Sequence, residues 1–523
     1  TGLGTSGQHA NLTYASSNVI TKIDFKNLYV EELYQLNKNE TKTLDVKSNI
    51  GFNLKINKNY TVSKENLKFE SLNTDIVEVD NNGVIKGISD GKTGVKITDI
   101  TTNIETVAQI IVGERNSNIY KISAGVNHTI ALKNDGTVWS WGDNTYGQLG
   151  DGGVLTSETE NPIQVSGVNG SKYLSDVVDI ASGTYFSIAL LKNGNVVAWG
   201  LNNDGQLGNI GEISRKPVFV MDYNGNKLSG IVGISASRNH AIAVRADGTV
   251  FTWGSNDYGQ LGNNTKTSSA YAIQVLDSTG NDYLKDVVQV SAGAAYVSVV
   301  KNDGTVWSWG AGASAQMGDG ARTQRSLPVQ AKNVTDVKKV ATGCYITLVL
   351  KNDGTVWAWG LNRYGQLGIG VSSTSSSDAN YVRTTAVQVK LNSTDYLTDV
   401  VDIGTAYESS FAVTSDGTAY AWGLNNYSQL GIITSSNVNL PTKCLRRYYN
   451  ELEPKIIGLF SNSEPAYTNY MIREDGSILS CGKSNNGQLL DGGKYETRSY
   501  IEDVRTSYLE VTDKISTIKL GSS

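Results

Sequence analysis

The sequence predicts an all-β chain, a seven-bladed β-propeller over residues 117–523 preceded by a β-sandwich over residues 23–113. Three observations lead there. All nine tryptophans fall inside a phrase that recurs seven times, clearest as Asn-Asp-Gly-Thr-Val-Trp-Ser-Trp-Gly followed shortly by Tyr-Gly-Gln-Leu-Gly. The closing glycine of Trp-Gly, or its equivalent, stands at Gly142, Gly200, Gly254, Gly310, Gly360, Gly423 and Gly482, at spacings of 58, 54, 56, 50, 63 and 59 residues. A period of that length is one supersecondary unit that buries its apolar face only against a neighbour. Finally, charged residues are 18% of the chain, whereas glycine reaches 55 and tyrosine 27, a composition of turns and short strands rather than amphipathic helices.

Residues 1–22 read as an extension or the remnant of a repeat tail, because Gly2-Leu-Gly-Thr-Ser-Gly-Gln8 parallels Gly200-Leu-Asn-Asn-Asp-Gly-Gln206. Residues 23–113 contain no tryptophan and carry alternating runs, Ile76–Asp80, Val84–Ile88 and Val95–Thr98, that read as half-buried strands. Asn81-Asn82-Gly83 between the first two has the chemistry of a tight hairpin. Residues 114–117 form a polar junction, and the repeats follow.

Each repeat divides into four strands. In the first they are Ile119 to Ser123, His128 to Lys133, Thr137 to Gly142 and a fourth near Ile163-Gln164-Val165, with Asn134-Asp135-Gly136 turning the second into the third. Four antiparallel strands per unit, repeated with local pairing, describe propeller blades. Trp141, Trp199, Trp253, Trp309, Trp359 and Trp422 are expected to fill the gaps between blades. The recurrent Gln148, Gln206, Gln260, Gln316, Gln366, Gln429 and Gln488 are expected to satisfy backbone groups of the adjacent blade. Strand alternation puts the loops before His128 and its equivalents on one face, together with the Gly-Gln-Leu-Gly turns. The Asp-Gly hairpins and inter-blade connections take the opposite face.

Two resemblances add to this. The segment from Phe69 to Ile97 resembles the core signature of bacterial immunoglobulin-like group 2 domains, with Phe69 where a tryptophan is common. That implies an Ig-like sandwich of the kind used as a spacer or adhesive module on cell-surface proteins. Ile122-Ser-Ala-Gly-Val-Asn-His-Thr-Ile-Ala-Leu132, with Trp-Gly-x-Asn-x-x-Gly-Gln-Leu-Gly, resembles the repeat of the regulator of chromosome condensation family, whose fold is a seven-bladed propeller. The motif histidine survives only at His128 and His240, and the seventh repeat departs with Cys481-Gly482 and Leu490. At the C-terminus, Asp513–Gly521 resembles the opening strand of a repeat. It is expected to close the ring; the alternatives are a chain cut from a longer array or ends that complement neighbouring subunits.

Chemistry is sparse. With 45 Lys and Arg against 50 Asp and Glu, the net charge of −5 gives no support to nucleic-acid binding. No run approaches the length of a membrane span. His9, His128 and His240 are the only histidines, and no phosphate loop, nucleophile elbow or metal motif occurs. Asp151-Gly152 and Asp319-Gly320 lack enough neighbouring carboxylates for a calcium site. Cys344, Cys444 and Cys481 fit no zinc or redox spacing and read as small buried hydrophobes. The chain is accordingly expected to be no enzyme and to hold no cofactor or metal.

Binding is placed on the stretches that break the repeat rhythm: the serine-rich insertion Val371 to Thr385, and Cys444 to Lys455 with Arg446, Arg447, Tyr448 and Tyr449, whose composition suits an interface hot spot. Tyr146, Tyr258, Tyr364 and Tyr427, before the Gly-Gln turns, would form an aromatic ring on one face or pack against blade edges. The functional expectation is a secreted or cell-surface bacterial protein whose propeller binds a protein or a glycan. A structural subunit that self-associates in an extracellular assembly is the first alternative, and a GTPase regulator or enzyme inhibitor the second. The chain begins at Thr1, as after removal of a leader or in a fragment.

Overall fold

The computed structural model describes residues 27–503 apart from 31–33, 37–38, 45, 50–59, 62–63, 90, 102, 104, 113–118, 154–157, 433, 445–454, 461–466, 474–477, 485–488 and 490–495. The chain divides into two compact units, 1–116 and 117–523. In the first, Leu67–Ser71, Gly91–Asp99, Glu105–Val112 and Tyr34–Leu36 make one sheet, and two three-stranded sheets accompany it. They share one core that includes Leu36, Leu67, Phe69, Val77, Ile85, Val95, Ile97 and Ile110. The hairpin at Asn81-Asn82-Gly83 forms because the Asp80 carboxylate accepts the backbone N–H groups of Asn82 and Val84, each at 2.8 Å.

The second unit is a series of four-stranded antiparallel sheets, each built from four strands consecutive in the chain. The first comprises Ile119–Ala124, His128–Lys133, Val138–Gly142 and Thr159–Gln164, and the last Ile456–Phe460, Thr468–Arg473, Ile478–Ser484 and Glu496–Asp503. Seven such sheets occur among the described residues. The hairpin between second and third strands repeats one device. The Asp135 carboxylate accepts the Thr137 backbone N–H at 2.9 Å and its hydroxyl at 2.6 Å, as Asp303 does for Thr305 and Asp353 for Thr355.

Neighbouring sheets are locked by the tryptophans. The indole N–H of Trp199 donates to the backbone carbonyl of Gln148 at 2.9 Å. Trp253, Trp309, Trp359 and Trp422 do the same to Gln206, Gln260, Gln316 and Gln366 at 2.8–3.0 Å. All five indoles are fully buried. The glutamine side chain acts elsewhere than expected. Its amide oxygen accepts a backbone N–H two residues back in its own turn, from Tyr146 for Gln148 and from Tyr258 for Gln260. The amide therefore fixes the turn that presents the carbonyl, and the carbonyl rather than the amide reaches the next sheet.

The glycine closing Gln-Leu-Gly follows from the same lock. At Gly262, φ is +64° and a Cβ would stand 2.8 Å from the Trp309 indole nitrogen, so only glycine fits. In the last sheet Cys481 replaces tryptophan, and its thiol donates to the Gln429 carbonyl at 3.2 Å. First and last sheets are joined by Tyr470, whose hydroxyl lies 3.1 Å from that of Thr129 and whose ring packs with Ile122, Trp139 and Trp141. The segment Asp513–Gly521, expected to close the ring, lies outside the described residues.

Trp309→Phe keeps most of the apolar volume but leaves the Gln260 carbonyl buried without a donor. It should cost about 2 kcal/mol, the desolvation penalty of an orphaned polar group plus a small void. Urea denaturation of wild type and variant measures it.

Candidate functional site

Where the repeat motif leaves positions free, the structure gathers aromatic side chains. The residue just before the second strand is Asn127 in the first repeat, Tyr185 in the second, Asn239 in the third, Ala295 in the fourth, Tyr345 in the fifth, Glu408 in the sixth and Tyr467 in the seventh. One place earlier in the sixth stands Tyr407, held at φ +51°. These loops and the Tyr-Gly-Gln turns converge on one face. Tyr345 meets Tyr407 at 6.5 Å between ring centroids, Tyr407 meets Tyr467 at 5.6 Å, and Tyr467 meets Tyr427 at 4.3 Å. All four rings are half-buried.

Charged groups complete the arc. The ammonium of Lys483 stands 5.0 Å from the Tyr427 centroid and 6.0 Å from that of Tyr467. The Arg363 guanidinium lies over Tyr364 at 4.8 Å. Its Nε donates to Glu408 Oε2 at 3.2 Å, and its Nη2 lies 3.0 Å from Oε2 and 2.8 Å from Oε1. The Glu408 side chain is completely buried while Arg363 is one-third exposed. Burial pushes the Glu408 carboxyl above its usual range, with Arg363 pulling it back. Cys344 first, then burial, pushes the Tyr345 phenol up to about 12; burial and then Glu408 raise Tyr407, and burial and then Tyr427 raise Tyr467. These phenols therefore stay neutral at physiological pH, as hydrogen-bonding tips on apolar rings, which is the side-chain chemistry of a protein interface.

Of the tyrosines singled out from the sequence, the structure makes no ring. Tyr427 and Tyr364 belong to the arc, Tyr146 pairs with Tyr185 at 5.0 Å on another part of the face, and Tyr258 is exposed. Tyr345, Tyr407 and Tyr467 were missed because they lie outside the motif. The signal available was the loop before a second strand, where Tyr345 and Tyr467 stand immediately before the strand and Tyr407 one place earlier. Arg446, Arg447, Tyr448 and Tyr449 lie outside the described residues. The serine-rich insertion is largely exposed, with Asn362 Nδ2 donating to the Val371 and Asn380 carbonyls to tie its two ends together.

The titratable residues considered for catalysis are built into the scaffold. His128 and His240 are fully buried, and burial drives both down to about 4. His128 Nε2 lies 3.0 Å from Ser187 Oγ of the next sheet. Burial pushes the Cys481 thiol up to about 12 and raises Cys444. Among the described residues, no group of three His, Cys, Asp or Glu side chains is placed to hold a metal ion. No helix among them is long and apolar enough to cross a membrane.

Comparison with known proteins bears on function. The RCC1-like domain profile matches residues 211–523, and profiles of the regulator of chromosome condensation repeat match 119–148, 135–190 and 177–206. The human E3 ubiquitin-protein ligase HERC2 is 32% identical over 245 residues, 45% of this chain and 5% of the ligase. The human protein named probable E3 ubiquitin-protein ligase HERC6 is 34% identical over 223 residues, 42% of this chain and 20% of that protein. The chain thus spans a fifth or less of these two relatives. Among solved structures, Prp20p from Saccharomyces cerevisiae superposes with a TM-score of 0.58 at 21% identity, covering 72% of this chain and 87% of its own; its structure was described together with its binding to Gsp1p and histones.

These findings correct three expectations. A secreted or cell-surface bacterial protein was inferred from residues 23–113 and from composition, whereas HERC2, HERC6 and Prp20p are eukaryotic proteins. Extracellular placement falls with it. The expectation of no enzyme is overturned as well, since HERC2 and HERC6 are named ubiquitin-protein ligases. The physical reason is common to all three: the repeat phrase encodes turns and inter-sheet locks, and neither it nor a neighbouring domain's texture reports the setting in which a propeller works.

Two outcomes are expected here. Each histidine is held neutral in the folded state and titrates near 6.5 when unfolded. Stability is therefore full above pH 6.5 and declines as pH falls to about 4, by roughly 3 kcal/mol per histidine. His128→Phe with His240→Phe, copying the Phe186 that the second repeat carries at the same place, should flatten that share of the slope in denaturant titrations at pH 7 and pH 4.5. Arg363→Met strands Glu408 and should destabilise by about 3 kcal/mol, whereas Arg363→Met with Glu408→Asn, copying Asn127 and Asn239, should recover most of it.

Proposed function

Because the chain belongs to the RCC1-like domain family, we propose that residues 117–523 form a closed seven-bladed propeller that binds a partner protein through its loop face and regulates a small GTPase. The observation that carries this reading is the arc of Tyr345, Tyr407, Tyr467 and Tyr427 with Lys483 and Arg363, an aromatic and cationic patch of the composition enriched at binding hot spots. The binding of Prp20p to Gsp1p and histones supports protein partners for propellers of this shape. Residues 23–113 are proposed as an Ig-like sandwich following an extension over 1–22. Arg446, Arg447, Tyr448 and Tyr449 are proposed as further contacts of the partner.

A second reading is favoured by the ligase relatives: the same face recognises a partner on behalf of a ubiquitin ligase of which the propeller is one part. The two separate experimentally. Release of a fluorescent guanine nucleotide from a panel of small GTPases should accelerate with the wild-type chain. Tyr407→Ala with Tyr467→Ala should lower that acceleration at least tenfold. Tight binding of a GTPase or another protein without nucleotide release would favour the second reading over the first.

A further inference from the structure

The chain has three cysteines, and two of them come together at one contact between sheets. At five other junctions the residue just after an outermost strand shares a core with the tryptophan of the next sheet. Val165 does so with Trp199, Val220 with Trp253, Val275 with Trp309, Ala331 with Trp359 and Val389 with Trp422. Between the sixth and seventh sheets both members are replaced at once, by Cys444 and Cys481. Packing alone does not account for the double change. Loss of the ring calls for a larger neighbour, and a cysteine is no larger than the valine found at most of these junctions.

The two sulfurs are held at consecutive backbone oxygens. Cys481 Sγ donates to the Gln429 carbonyl at 3.2 Å, and Cys444 Sγ to the Leu430 carbonyl at 3.4 Å. An indole nitrogen stands further from its own backbone than a thiol sulfur does. Reaching the equivalent carbonyl with the shorter side chain therefore draws the third strand of the seventh sheet towards the sixth, the direction that a disulfide requires. The Cys444 thiol is raised by burial and then by Cys481 beside it.

Access differs between the pair. Cys481 is 1% exposed, whereas Cys444 is only half-buried. Cys444 is thus the thiol that a dissolved oxidant reaches, with Cys481 placed behind it. Cys344, in the loop before the second strand of the fifth sheet, occupies neither position.

We propose that Cys444 and Cys481 are a dithiol site that closes into a reversible disulfide, clasping the seventh sheet to the sixth, with glutathione disulfide as the class of oxidant. The Cys444 thiolate attacks one sulfur of glutathione disulfide, which forms a mixed disulfide and releases one glutathione. The Cys481 thiolate then attacks the Cys444 sulfur, which forms the internal bond and releases the second glutathione. Two S–H protons leave the cysteines and two electrons pass to the oxidant, ending as two glutathione thiols. Burial that keeps both thiols protonated near neutral pH makes the exchange slow. The junction so closed also carries the arc, with Tyr407 and Tyr427 on the sixth repeat and Tyr467 and Lys483 on the seventh. Oxidation holds the two halves of the arc together, and the clasp does not depend on what the arc binds.

The test incubates the full chain at mildly alkaline pH in glutathione buffers from reduced to oxidised. Samples are quenched, alkylated and digested without reduction for mass spectrometry. One internal link should form, Cys444 to Cys481, reversed by dithiothreitol, with Cys344 recovered in its alkylated form. Oxidation should raise the Tm of wild type by roughly 5 °C, as closure of a loop of this length in the unfolded chain implies. It should leave the Tm of Cys444→Val unchanged, a variant that copies Val165 and Val275, while Cys344→Ser should respond as wild type does. Thiols that stay unlinked across the whole series overturn the proposal. So does a mixed disulfide at Cys444 that never resolves, or a link that uses Cys344 or joins two chains. A Cys444–Cys481 link that leaves Tm unchanged overturns the clasp.

Discussion

The constraint on which the repeat unit depends is a hydrogen bond between an indole N–H in one sheet and a backbone carbonyl in the sheet before it. Trp199 to Gln148 and Trp422 to Gln366 are two of the series. Both groups are buried, so leaving either unpaired carries the desolvation cost of a polar atom away from water. The rest of the phrase serves this bond. The glutamine amide holds its own turn by accepting a backbone N–H two residues back, the leucine after it is buried, and the glycine that closes the turn leaves room for the incoming ring. A motif spread over twenty residues thus reports one contact between units that are adjacent in space.

That contact explains what could be read from the chain. Asp-Gly-Thr hairpins, strand pairs and the burial of Trp141, Trp199 and Trp253 follow from local chemistry repeated in register, so the sequence displays them directly. The tyrosine arc could not be displayed in the same way. Tyr345, Tyr407 and Tyr467 come from three repeats; other repeats place asparagine, alanine or glutamate where Tyr345 and Tyr467 stand, and Val126, Thr184, Arg238, Ala294 or Cys344 where Tyr407 stands. Their proximity is created by lateral packing of sheets, and no local pattern encodes it. Bulge residues of the first strands, such as Val178 and Val401, were hidden for a different reason. Val177-Val178 and Val400-Val401 look like continuous apolar strand, and only the one-residue slip in pairing separates the buried member from the exposed one.

Ion pairs and hydrogen bonds between the first strands of neighbouring sheets brace the wall of the central channel. Lys121 pairs with Asp179 across adjacent innermost strands, and Lys339 with Asp402. Asp402 also accepts the Leu459 backbone N–H at 3.0 Å, while Ser291 and Thr342 share a hydrogen bond at 2.7 Å. These contacts are made between neighbouring strands around the channel, so they reinforce lateral packing at the centre as the tryptophans do further out. With the sheets held at both radii, loops on either face can vary without disturbing the scaffold.

The seventh repeat shows how that freedom is used. Its tryptophan has become Cys481, a weaker donor that still reaches the Gln429 carbonyl at 3.2 Å, and Asn469 donates to the same carbonyl at 2.8 Å. Asn469 stands where Ser187, Thr347 and Ser410 donate to the corresponding carbonyls beside an indole, so with Cys481 in place of tryptophan the acceptor keeps two donors while a large ring is lost. The same repeat contributes Tyr467 and Lys483 to the aromatic arc, against Tyr407 and Tyr427 of the sixth. Departure from the motif and convergence of aromatic and cationic side chains therefore coincide at one junction between sheets. A repeat that keeps the shared carbonyl paired can lose the phrase that identifies it, and the surface next to such a junction is where a partner-specific patch costs the scaffold least.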